Sequence, residues 1–484
     1  MRKNISFFLF LFVLCIGCSS SDSNSESIDV NTQKLVSVFP GNGRFLVKYK
    51  ITDAKIAQIK VECGTIKTAT AAVSSNDLNK ELEIYVGDNL SPIPEGEYNI
   101  RITALTKEGN HFASTEKSIR IFGDEYRKSL KQQNYSKTDY QAPTENEAEK
   151  LTVTWDKTTA SEELGITLHY YDYEGNMKNR FIQKKYLSTS LILDHTDLRK
   201  PINYTTDYIP VTNAIDTLNS TITELIIDNA PWKDFYKDWE ETEIQKGVVL
   251  RTHQYPTDGL WGRTQKISIL EIAPDAEIRM DIVARKSLTK TTEMMEDNTI
   301  AAINGSYFTW NKPDEYNSKD YLRLNYVKVA SDDIDTNRKN GCMFVTNKKI
   351  YFKPATSTTD WQDAYSGQYA LGGGPLLLLD GKLRSIEVKD HNTLSHPRTF
   401  VGSRADGTIM LVTVDGRTNY ADGMPCTELQ RLAWTIGCHE ALNFDGGGST
   451  TMAVRENGTV KIVNHPSDGS EREVSNAILI NPAN

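Results

Sequence analysis

One run of residues joins a carboxylate to three consecutive glycines: Asn443-Phe444-Asp445-Gly446-Gly447-Gly448-Ser449-Thr450. We expect a strand over residues 441–444, so that Asp445 stands where the strand ends. Successive glycines let main-chain N–H groups converge on one anion. A carboxylate beside such a nest suits a substrate with an anionic part and a centre that needs a base, a nucleophile or a cation stabiliser. A tight turn that requires glycine is the alternative.

A second candidate is the arginine in His396-Pro397-Arg398-Thr399. The ring of Pro397 fixes the backbone just before Arg398, so the guanidinium is presented from a stiff site. Arginine binds phosphate oxygens in a bidentate manner, which makes Arg398 a candidate phosphate ligand. An arginine in a surface salt bridge is the alternative.

Three further turns carry polar or glycine residues: Asn304-Gly305-Ser306, Gly372-Gly373-Gly374-Pro375 and Asp415-Gly416-Arg417. Each is also an ordinary turn sequence. The chain lacks a Walker loop, a G-x-S-x-G elbow and an H-E-x-x-H helix, and its eight histidines form no recognisable ligand set. The sequence therefore implies neither a metal nor a cofactor.

The elements that must position these residues lie in region 244–484. There we expect apolar strands that alternate with helices and glycine turns. One helix is expected over residues 287–297. Another begins with a capping box formed by Thr427 and Gln430 and ends at Gly437. Its apolar face follows a helical period: Leu429, Leu432, Ala433 and Ile436. The pattern predicts a mixed α+β catalytic domain.

The sequence before residue 244 predicts one or two immunoglobulin-like β-sandwiches. Short alternating runs between turn signals predict an immunoglobulin- or fibronectin-like sandwich over 34–124. Residues 125–150 are polar and predict a linker, and 151–212 predict a second, divergent sandwich module. Residues 213–243 are expected to form a connector.

The first residues resemble a bacterial lipoprotein signal. Arg2 and Lys3 precede an apolar stretch over residues 6–17 that is short for a membrane span. Residues 1–17 would be the signal peptide, Cys18 the lipidated residue and 18–33 a polar tether. An ordinary secretory signal is the alternative. The prediction places the protein in the bacterial cell envelope, at the outer membrane or cell surface, anchored through acyl chains.

Charge and cysteine content argue against nucleic-acid binding and against a cysteine-bound metal site. The chain has 55 Lys and Arg against 64 Asp and Glu, a formal net charge of −9. This balance argues against a nucleic-acid binder, which needs a basic surface to displace counterions. Four cysteines beyond residue 18 lack metal-like spacing and are expected to be packed free thiols: Cys63, Cys342, Cys426 and Cys438.

Taken in order, the motifs of the C-terminal half resemble the phosphodiester glycosidases, the family of the mammalian N-acetylglucosamine-1-phosphodiester alpha-N-acetylglucosaminidase. Tyr307 stands where that family usually has Phe. The matching positions are Ala301-Ala302-Ile303-Asn304-Gly305 with Phe308, Gly373-Gly374-Pro375, Pro397-Arg398-Thr399 with Val401-Gly402, Asp415-Gly416-Arg417, Glu428, Asn443, Asp445 to Ser449, Asn464, Pro466-Ser467-Asp468 and Arg472.

The resemblance implies hydrolysis of a sugar-1-phosphodiester at the anomeric C–O bond, without a cofactor. It implies Asp445 as nucleophile or base, on the sugar face opposite the leaving phosphate, with Asp415 and Glu428 as further carboxyl candidates. Asn304 would hold a sugar hydroxyl. The other substrate- and phosphate-binding positions implied are Gly373, Arg398, Thr399, Arg417, Gly446, Gly447, Gly448 and Ser449.

The expected partners are a glycan or sugar-phosphate diester and, through Cys18, a membrane; the oligomeric state stays open. Two alternatives remain at this point. One is a glycan-binding surface lipoprotein that has lost catalysis. The other is a phosphodiesterase that cuts the P–O bond, so that sugar-1-phosphate rather than free sugar is the product.

Overall fold

A computed structural model of the protein describes residues 36–483 except 159, 173–174, 188–189, 194–195, 333–339 and 347–348. The predicted signal peptide, Cys18 and the tether lie outside the described residues. The chain divides into two compact units. The first holds the described residues up to Leu130 together with Tyr208–Asn219, and the second holds Lys131–Asp207 and the residues from Ser220 onward.

The first unit is a sandwich of two antiparallel sheets. Its strands are β1 (Val36–Pro40), β2 (Phe45–Lys50), β3 (Ile56–Cys63), β4 (Lys67–Ala72), β5 (Glu81–Val86), β6 (Gly96–Thr106) and β7 (His111–Ile121), followed by helix α1 (Asp124–Ser129). The sheet orders are β1-β2-β5 and β4-β3-β6-β7. Alternate side chains of both sheets, such as Val47 and Val61, fill one apolar core between them.

The second unit begins with another pair of small sheets. The elements are β8 (Tyr135–Gln141), β9 (Lys150–Trp155), β10 (Glu163–Tyr171), β11 (Met177–Gln183), β12 (Leu191–Leu193), β13 (Asn203–Tyr208) and β15 (Thr223–Glu224). Strand β14 (Leu218–Asn219), which comes before β15 in the chain, belongs to the first unit. One sheet has the order β12-β9-β8, and the other contains β11-β10-β13, with β15 paired to β13. Trp155 and Leu168 belong to the core that both sheets share.

The described residues of the C-terminal region form three sheets. Its elements are β16 (Glu240–Gln245), β17 (Val248–Tyr255), β18 (Gln265–Ile272), β19 (Ile278–Lys290), β20 (Ala301–Asn304), β21 (Leu322–Leu324), β22 (Val327–Ala330), β23 (Gly341–Thr346), β24 (Lys349–Pro354), β25 (Tyr369–Gly373), β26 (Leu376–Leu379), β27 (Lys382–Leu383), α2 (Asp390–Thr393), β28 (Arg398–Ser403), β29 (Ile409–Val414), α3 (Cys426–Thr435), β30 (Glu440–Asn443), β31 (Met452–Glu456), β32 (Thr459–Ile462) and β33 (Glu473–Pro482).

An eight-stranded sheet, β16-β17-β18-β29-β28-β30-β26-β27, faces two five-stranded sheets, β19-β33-β20-β31-β32 and β22-β21-β25-β23-β24. Strand β29 shows that the eight-stranded sheet is buried on both faces. Ile409 and Leu411 point into the core shared with the five-stranded sheets, while Met410 and Val412 point to the opposite face. Helix α3 covers that opposite face with its predicted apolar residues: Leu429, Leu432, Ala433 and Ile436.

The predicted mixed α+β fold class is wrong, because strands far outweigh helices in the structure, with 48% strand against 10% helix. The two α-helices among the described residues of this region have four and ten residues, and the longer one, α3, packs over the eight-stranded sheet. The helix expected over 287–297 is wrong for the same reason. Strand β19 covers residues 287–290, where Thr289 pairs with Val474, so sheet pairing overrides the helical pattern there. Only a three-residue 3-10 helix, Thr292–Met294, follows among the described residues of that segment.

The start of α3 also differs from the prediction. Pro425 is the N-cap residue and no side chain caps the helix, so the capping box of Thr427 and Gln430 does not form. The amide of Gln430 instead donates to the carbonyls of Leu377 and Arg384 at 2.7 and 2.8 Å. The predicted stop at Gly437 is confirmed by its left-handed φ of 93°.

Two further outcomes concern the predicted linker and the cysteines. The segment predicted as a linker contains β8, which pairs with β9, so its polar residues form a strand. The prediction of buried free thiols is confirmed for Cys63, Cys342, Cys426 and Cys438. None of the helices that the structure describes is long and apolar enough to cross a membrane.

Candidate active site

The candidate site forms where the eight-stranded sheet meets the five-stranded sheet that contains β20. Strand β20 ends at Asn304, and β30 ends two residues before Asp445. The amide of Asn304 donates to the Asp445 carbonyl at 2.8 Å. The Asp445 N–H donates to the Gly305 carbonyl at 3.1 Å, and the Phe444 N–H to that of Thr399 at 2.8 Å. These bonds fix the start of the glycine loop between the two sheets.

Asn304 is fully buried, and both ends of its amide are occupied. Its Oδ1 accepts hydrogen bonds from the Thr399 hydroxyl at 2.9 Å and from the Thr451 N–H at 3.0 Å. The structure therefore places Asn304 and Thr399 as residues that position Asp445. It does not place the amide of Asn304 where it is free to hold a sugar hydroxyl.

The glycine loop follows the strand as predicted, but its N–H groups do not all converge on one open nest. The Gly446 N–H donates to Asp445 Oδ1 at 3.0 Å. The Gly447 N–H donates to the Pro397 carbonyl at 3.0 Å. A Cβ on Gly446 would lie 2.5 Å from that same carbonyl oxygen, so the close approach of the two loops requires glycine there.

The other end of the loop meets two charged side chains. Gly447 adopts a left-handed φ of 61°, and a Cβ on it would lie 3.0 Å from Arg417 Nη1. A Cβ on Gly448 would lie 2.2 Å from Arg472 Nη2. Ser449 is fully buried and its hydroxyl has no partner among the described residues. The small glycines thus allow two arginines to approach the backbone beside Asp445.

Arg398 is buried, with 1% of its surface exposed, yet no carboxylate among the described residues pairs with it. Its Nε donates to the Met424 carbonyl at 2.8 Å, and its Nη2 to the carbonyls of His391 and Leu394 at 2.7 and 3.0 Å. No acceptor for Nη1 is found in the part of the chain that the structure describes. That nitrogen remains for a phosphate oxygen.

Arg417 is exposed and pairs with a histidine. Its Nη2 lies 3.1 Å from His396 Nδ1. A guanidinium only donates, so Nδ1 accepts and the neutral imidazole carries its proton on Nε2. Burial and the positive charges of Arg398 and Arg417 lower the pKa of His396 below its ordinary 6.5. His396 is thereby a neutral hydrogen-bond donor between two arginines.

The Tyr307 hydroxyl lies beside Asn443, at the end of the strand that precedes Asp445. It lies 3.0 Å from the Gly374 carbonyl, 3.0 Å from Asn443 Nδ2 and 2.9 Å from His391 Nε2. Burial and the negative charge of Asp445 raise the pKa of Tyr307 well above its ordinary 10.0. Tyr307 therefore stays protonated at physiological pH and acts through hydrogen bonds.

The two other carboxyl candidates are engaged elsewhere. Asp415 is 1% exposed, and its Oδ2 accepts the His465 N–H at 3.0 Å. Burial raises the pKa of Asp415, against the opposing effect of His465. Glu428 accepts a hydrogen bond from Arg263 Nε at 3.1 Å. The contact of Glu428 is thus with Arg263 and not with Asp445. Asp415 fixes the backbone of the segment that contains His465.

Gly373 ends β25 behind the site, where a Cβ would lie 2.8 Å from the Asn443 carbonyl oxygen. Gly373 therefore allows close packing of β25 against the chain at Asn443. His391 and His396 are absent from the predicted site set. The signal for His396 was its place directly before Pro397-Arg398, whereas the sequence holds no signal for His391. No group of three or more metal-ligating side chains occurs among the residues described.

The comparison with protein families bears directly on this site. Residues 297–481 match the model of the phosphodiester glycosidase family. The resemblance predicted from the motifs is thereby confirmed for the C-terminal half. Every residue of the site described above lies within the match. A second family model, of a domain of unknown function, matches residues 24–218.

Individual proteins resemble parts of the chain. The uncharacterized SPbeta prophage-derived protein YomE of Bacillus subtilis (strain 168) is 36% identical over 257 residues, which cover 49% of this chain and 34% of YomE. The chain thus spans about a third of the length of that relative. The catalytic domain of zebrafish N-acetylglucosamine-1-phosphodiester alpha-N-acetylglucosaminidase, auto-inhibited by its pro-peptide, has a TM-score of 0.40 at 17% identity, covering 50% of this chain and 87% of the domain. A hypothetical protein from Synechocystis has a TM-score of 0.37 at 12% identity, covering 91% of this chain and 94% of its own.

Proposed function

We propose that the protein is a phosphodiester glycosidase that hydrolyses a sugar-1-phosphodiester at the anomeric C–O bond. The observation that carries the proposal is the anchoring of Asp445. Its backbone is bonded to Asn304 and Gly305 on the opposite sheet, within the stretch that matches the family. A carboxylate held in this way is preorganised for a charge that develops at one point.

The charges around Asp445 suit a phosphodiester. Arg417 lies against the glycine loop, and Arg398 Nη1 has no acceptor among the described residues. In our proposal these two cations bind the phosphate, and the Nε2 proton of neutral His396 adds a hydrogen bond to it. A phosphate monoester is a fair leaving group, so weak acid assistance is sufficient. As the C–O bond to the phosphate breaks, Asp445 on the other face of the sugar either stabilises the oxocarbenium-like centre while water attacks it, or attacks the centre itself. In the second case water then hydrolyses the glycosyl–Asp445 bond and frees the sugar.

The experiment is product identification. The protein from Glu26 onward is incubated with a diester of N-acetylglucosamine-1-phosphate and a second sugar, and the products are identified by mass spectrometry. Free N-acetylglucosamine is expected. N-acetylglucosamine-1-phosphate would move the cut to the P–O bond. Binding without turnover across a panel of sugar diesters would favour the glycan-binding alternative.

We further propose that Cys18 is lipidated and anchors the enzyme in the bacterial cell envelope, facing glycans that carry sugar-1-phosphate linkages. The basic and apolar residues before Cys18 support this. Growth with a labelled fatty acid should label the full chain and not Cys18→Ala, which should also leave the membrane fraction. Equal labelling of both proteins would contradict the anchor.

A further inference from the structure

A chain of hydrogen bonds joins the two halves of the candidate active site. One half holds Asp445, and the other holds the proposed phosphate ligands Arg398 and Arg417. Tyr307 and His391 lie between the two halves, and the proposed reaction gives neither of them a role. The bonds run from the strand before Asp445 through the Tyr307 hydroxyl and His391 to the guanidinium of Arg398.

The first step of this chain fixes the Tyr307 hydroxyl beside the strand that leads to Asp445. Asn443 is fully buried at the end of β30, and its Nδ2 donates to the Tyr307 hydroxyl at 3.0 Å. The same nitrogen also lies 2.8 Å from the Gly374 carbonyl and 2.9 Å from the Phe444 carbonyl. Tyr307 itself is only 6% exposed, so the packing of its ring holds the hydroxyl in one place.

The second step links Tyr307 to the short helix α2. The Tyr307 hydroxyl lies 2.9 Å from His391 Nε2. A hydroxyl can donate to a bare imidazole nitrogen and can accept from a protonated one, so this bond forms in either tautomer of His391. Helix α2 has only four residues, Asp390–Thr393, and so short a helix is not stable by its own hydrogen bonds. The His391 side chain is therefore one of the contacts that fix α2 at the site.

The third step leads from α2 to the phosphate ligands. Arg398 Nη2 donates to the carbonyl of His391 within α2 at 2.7 Å and to that of the C-cap residue Leu394 at 3.0 Å. The imidazole of His391 also lies beside that of His396, with ring centroids 6.4 Å apart. His396 in turn bonds to Arg417. A shift of α2 thus displaces the guanidinium of Arg398 and the ring beside Arg417.

We propose that Tyr307 and His391 are positioning residues, which set the phosphate-binding geometry of Arg398 from the side of the site that holds Asp445. The proposal rests on the phosphate-binding half of the proposed function. Without the bond between Tyr307 and His391, α2 is released, while Asp445 keeps its own bonds to Asn304 and Gly305. Loss of this bond should therefore weaken the binding of phosphate although the fold stays intact.

The test measures the affinity of the protein from Glu26 onward for inorganic phosphate by NMR titration, with melting temperatures measured in parallel. Tyr307→Phe keeps the ring and removes the hydroxyl. It should weaken the dissociation constant for phosphate about three- to tenfold, which corresponds to the loss of one hydrogen bond. Tyr369→Phe is the matched control, because Tyr369 is also 6% exposed and its hydroxyl donates to Asp281 at 3.2 Å, away from α2 and Arg398. It should bind phosphate like the wild type.

Variants of His391 separate positioning from a general loss of stability. His391→Ala should weaken phosphate binding about as much as Tyr307→Phe. His391→Gln should restore most of the affinity, because its amide can bond to the Tyr307 hydroxyl. The double variant of Tyr307→Phe and His391→Ala should bind no more weakly than either single variant, since both changes break the same bond.

Three results would overturn the proposal: no phosphate binding by the wild type, wild-type affinity in Tyr307→Phe, or losses that add up in the double variant. The proposed reaction is tested separately by product identification. A protein that releases no free sugar but whose phosphate affinity depends on the Tyr307 hydroxyl would refute the glycosidase and retain the positioning role.

Discussion

The side-chain amide of Asn304 donates a 2.8 Å hydrogen bond to the main-chain carbonyl of Asp445, which lies 141 positions later in the chain. The bond joins the end of β20 in a five-stranded sheet to the loop after β30 in the eight-stranded sheet. The same amide accepts hydrogen bonds from Thr399 and Thr451. In our account, the place of the catalytic carboxylate therefore depends on a residue that does not touch the substrate.

Replacing Asn304 tests this division of roles. Asn304→Ala removes three buried hydrogen bonds and should lower the free energy of unfolding by about 3 kcal/mol. A misplaced Asp445 should lower kcat about 10²-fold with little change in KM. Urea unfolding and steady-state kinetics measure both. Asn481→Ala, in which a buried amide at the far end of β33 loses its 2.7 Å bond to Asp281, is the control and should keep kcat. A raised KM at unchanged kcat would instead put Asn304 on the sugar.

Arg398 is expected to act through its geometry as well as its charge. Lysine keeps the charge but cannot reach the carbonyls of His391, Leu394 and Met424 together. Arg398→Lys should lower the free energy of unfolding by about 2 kcal/mol and reduce turnover at least about tenfold. Arg455 also donates to three carbonyls, so Arg455→Lys is the matched control. Equal activity in the two variants would remove Arg398 from the site.

His396 predicts a pH dependence of stability. Its pKa in the folded protein is lower than the ordinary 6.5, so the unfolded chain takes up the proton first as the pH falls. The stabilisation is complete above about pH 6.5 and is lost as the pH drops towards the folded pKa. His396→Gln should remove this part of the fall in melting temperature, and exposed His111→Gln should not. Parallel curves for His396→Gln and the wild type would contradict the prediction.

Gly446 is expected to tolerate no side chain. Gly446→Ala places a Cβ 2.5 Å from the Pro397 carbonyl oxygen, which also accepts the Gly447 N–H. The loops must separate, so turnover should fall about 10²-fold. Gly458→Ala is the control, because a Cβ there meets nothing within 4 Å although its φ is 79°. Gly446 itself has an ordinary φ of −121°, so a loss of rate in Gly458→Ala as large as in Gly446→Ala would show that the close approach to Pro397 is not the cause.

The sequence predicted the motifs of the site better than the architecture around them. The strand before Asp445 and the apolar face of α3 were visible because each follows a simple period. The α+β class was wrong because strands buried on both faces, such as β29, read as continuous apolar runs that do not reveal how many sheets they form. Sheet pairing also turned residues 287–290 into strand, which no local pattern indicated.

The roles of the site residues could be predicted from the sequence only in part. Residue type singled out Asn304, Arg398 and Asp445 as candidate site residues. It could not show that Asn304 uses its whole amide inside the protein, or that His391 reaches Tyr307 from another loop. Such roles depend on contacts between residues far apart in the chain, which spacing does not encode.

The most direct test of the central claim compares the wild type with Asp445→Asn on the N-acetylglucosamine-1-phosphate diester, with thermal unfolding measured in parallel. The wild type should release free N-acetylglucosamine. Asp445→Asn keeps the size of the side chain and should lower that rate about 10²- to 10⁴-fold while the melting temperature stays within a few degrees. Release of free sugar at the wild-type rate by Asp445→Asn would contradict the account.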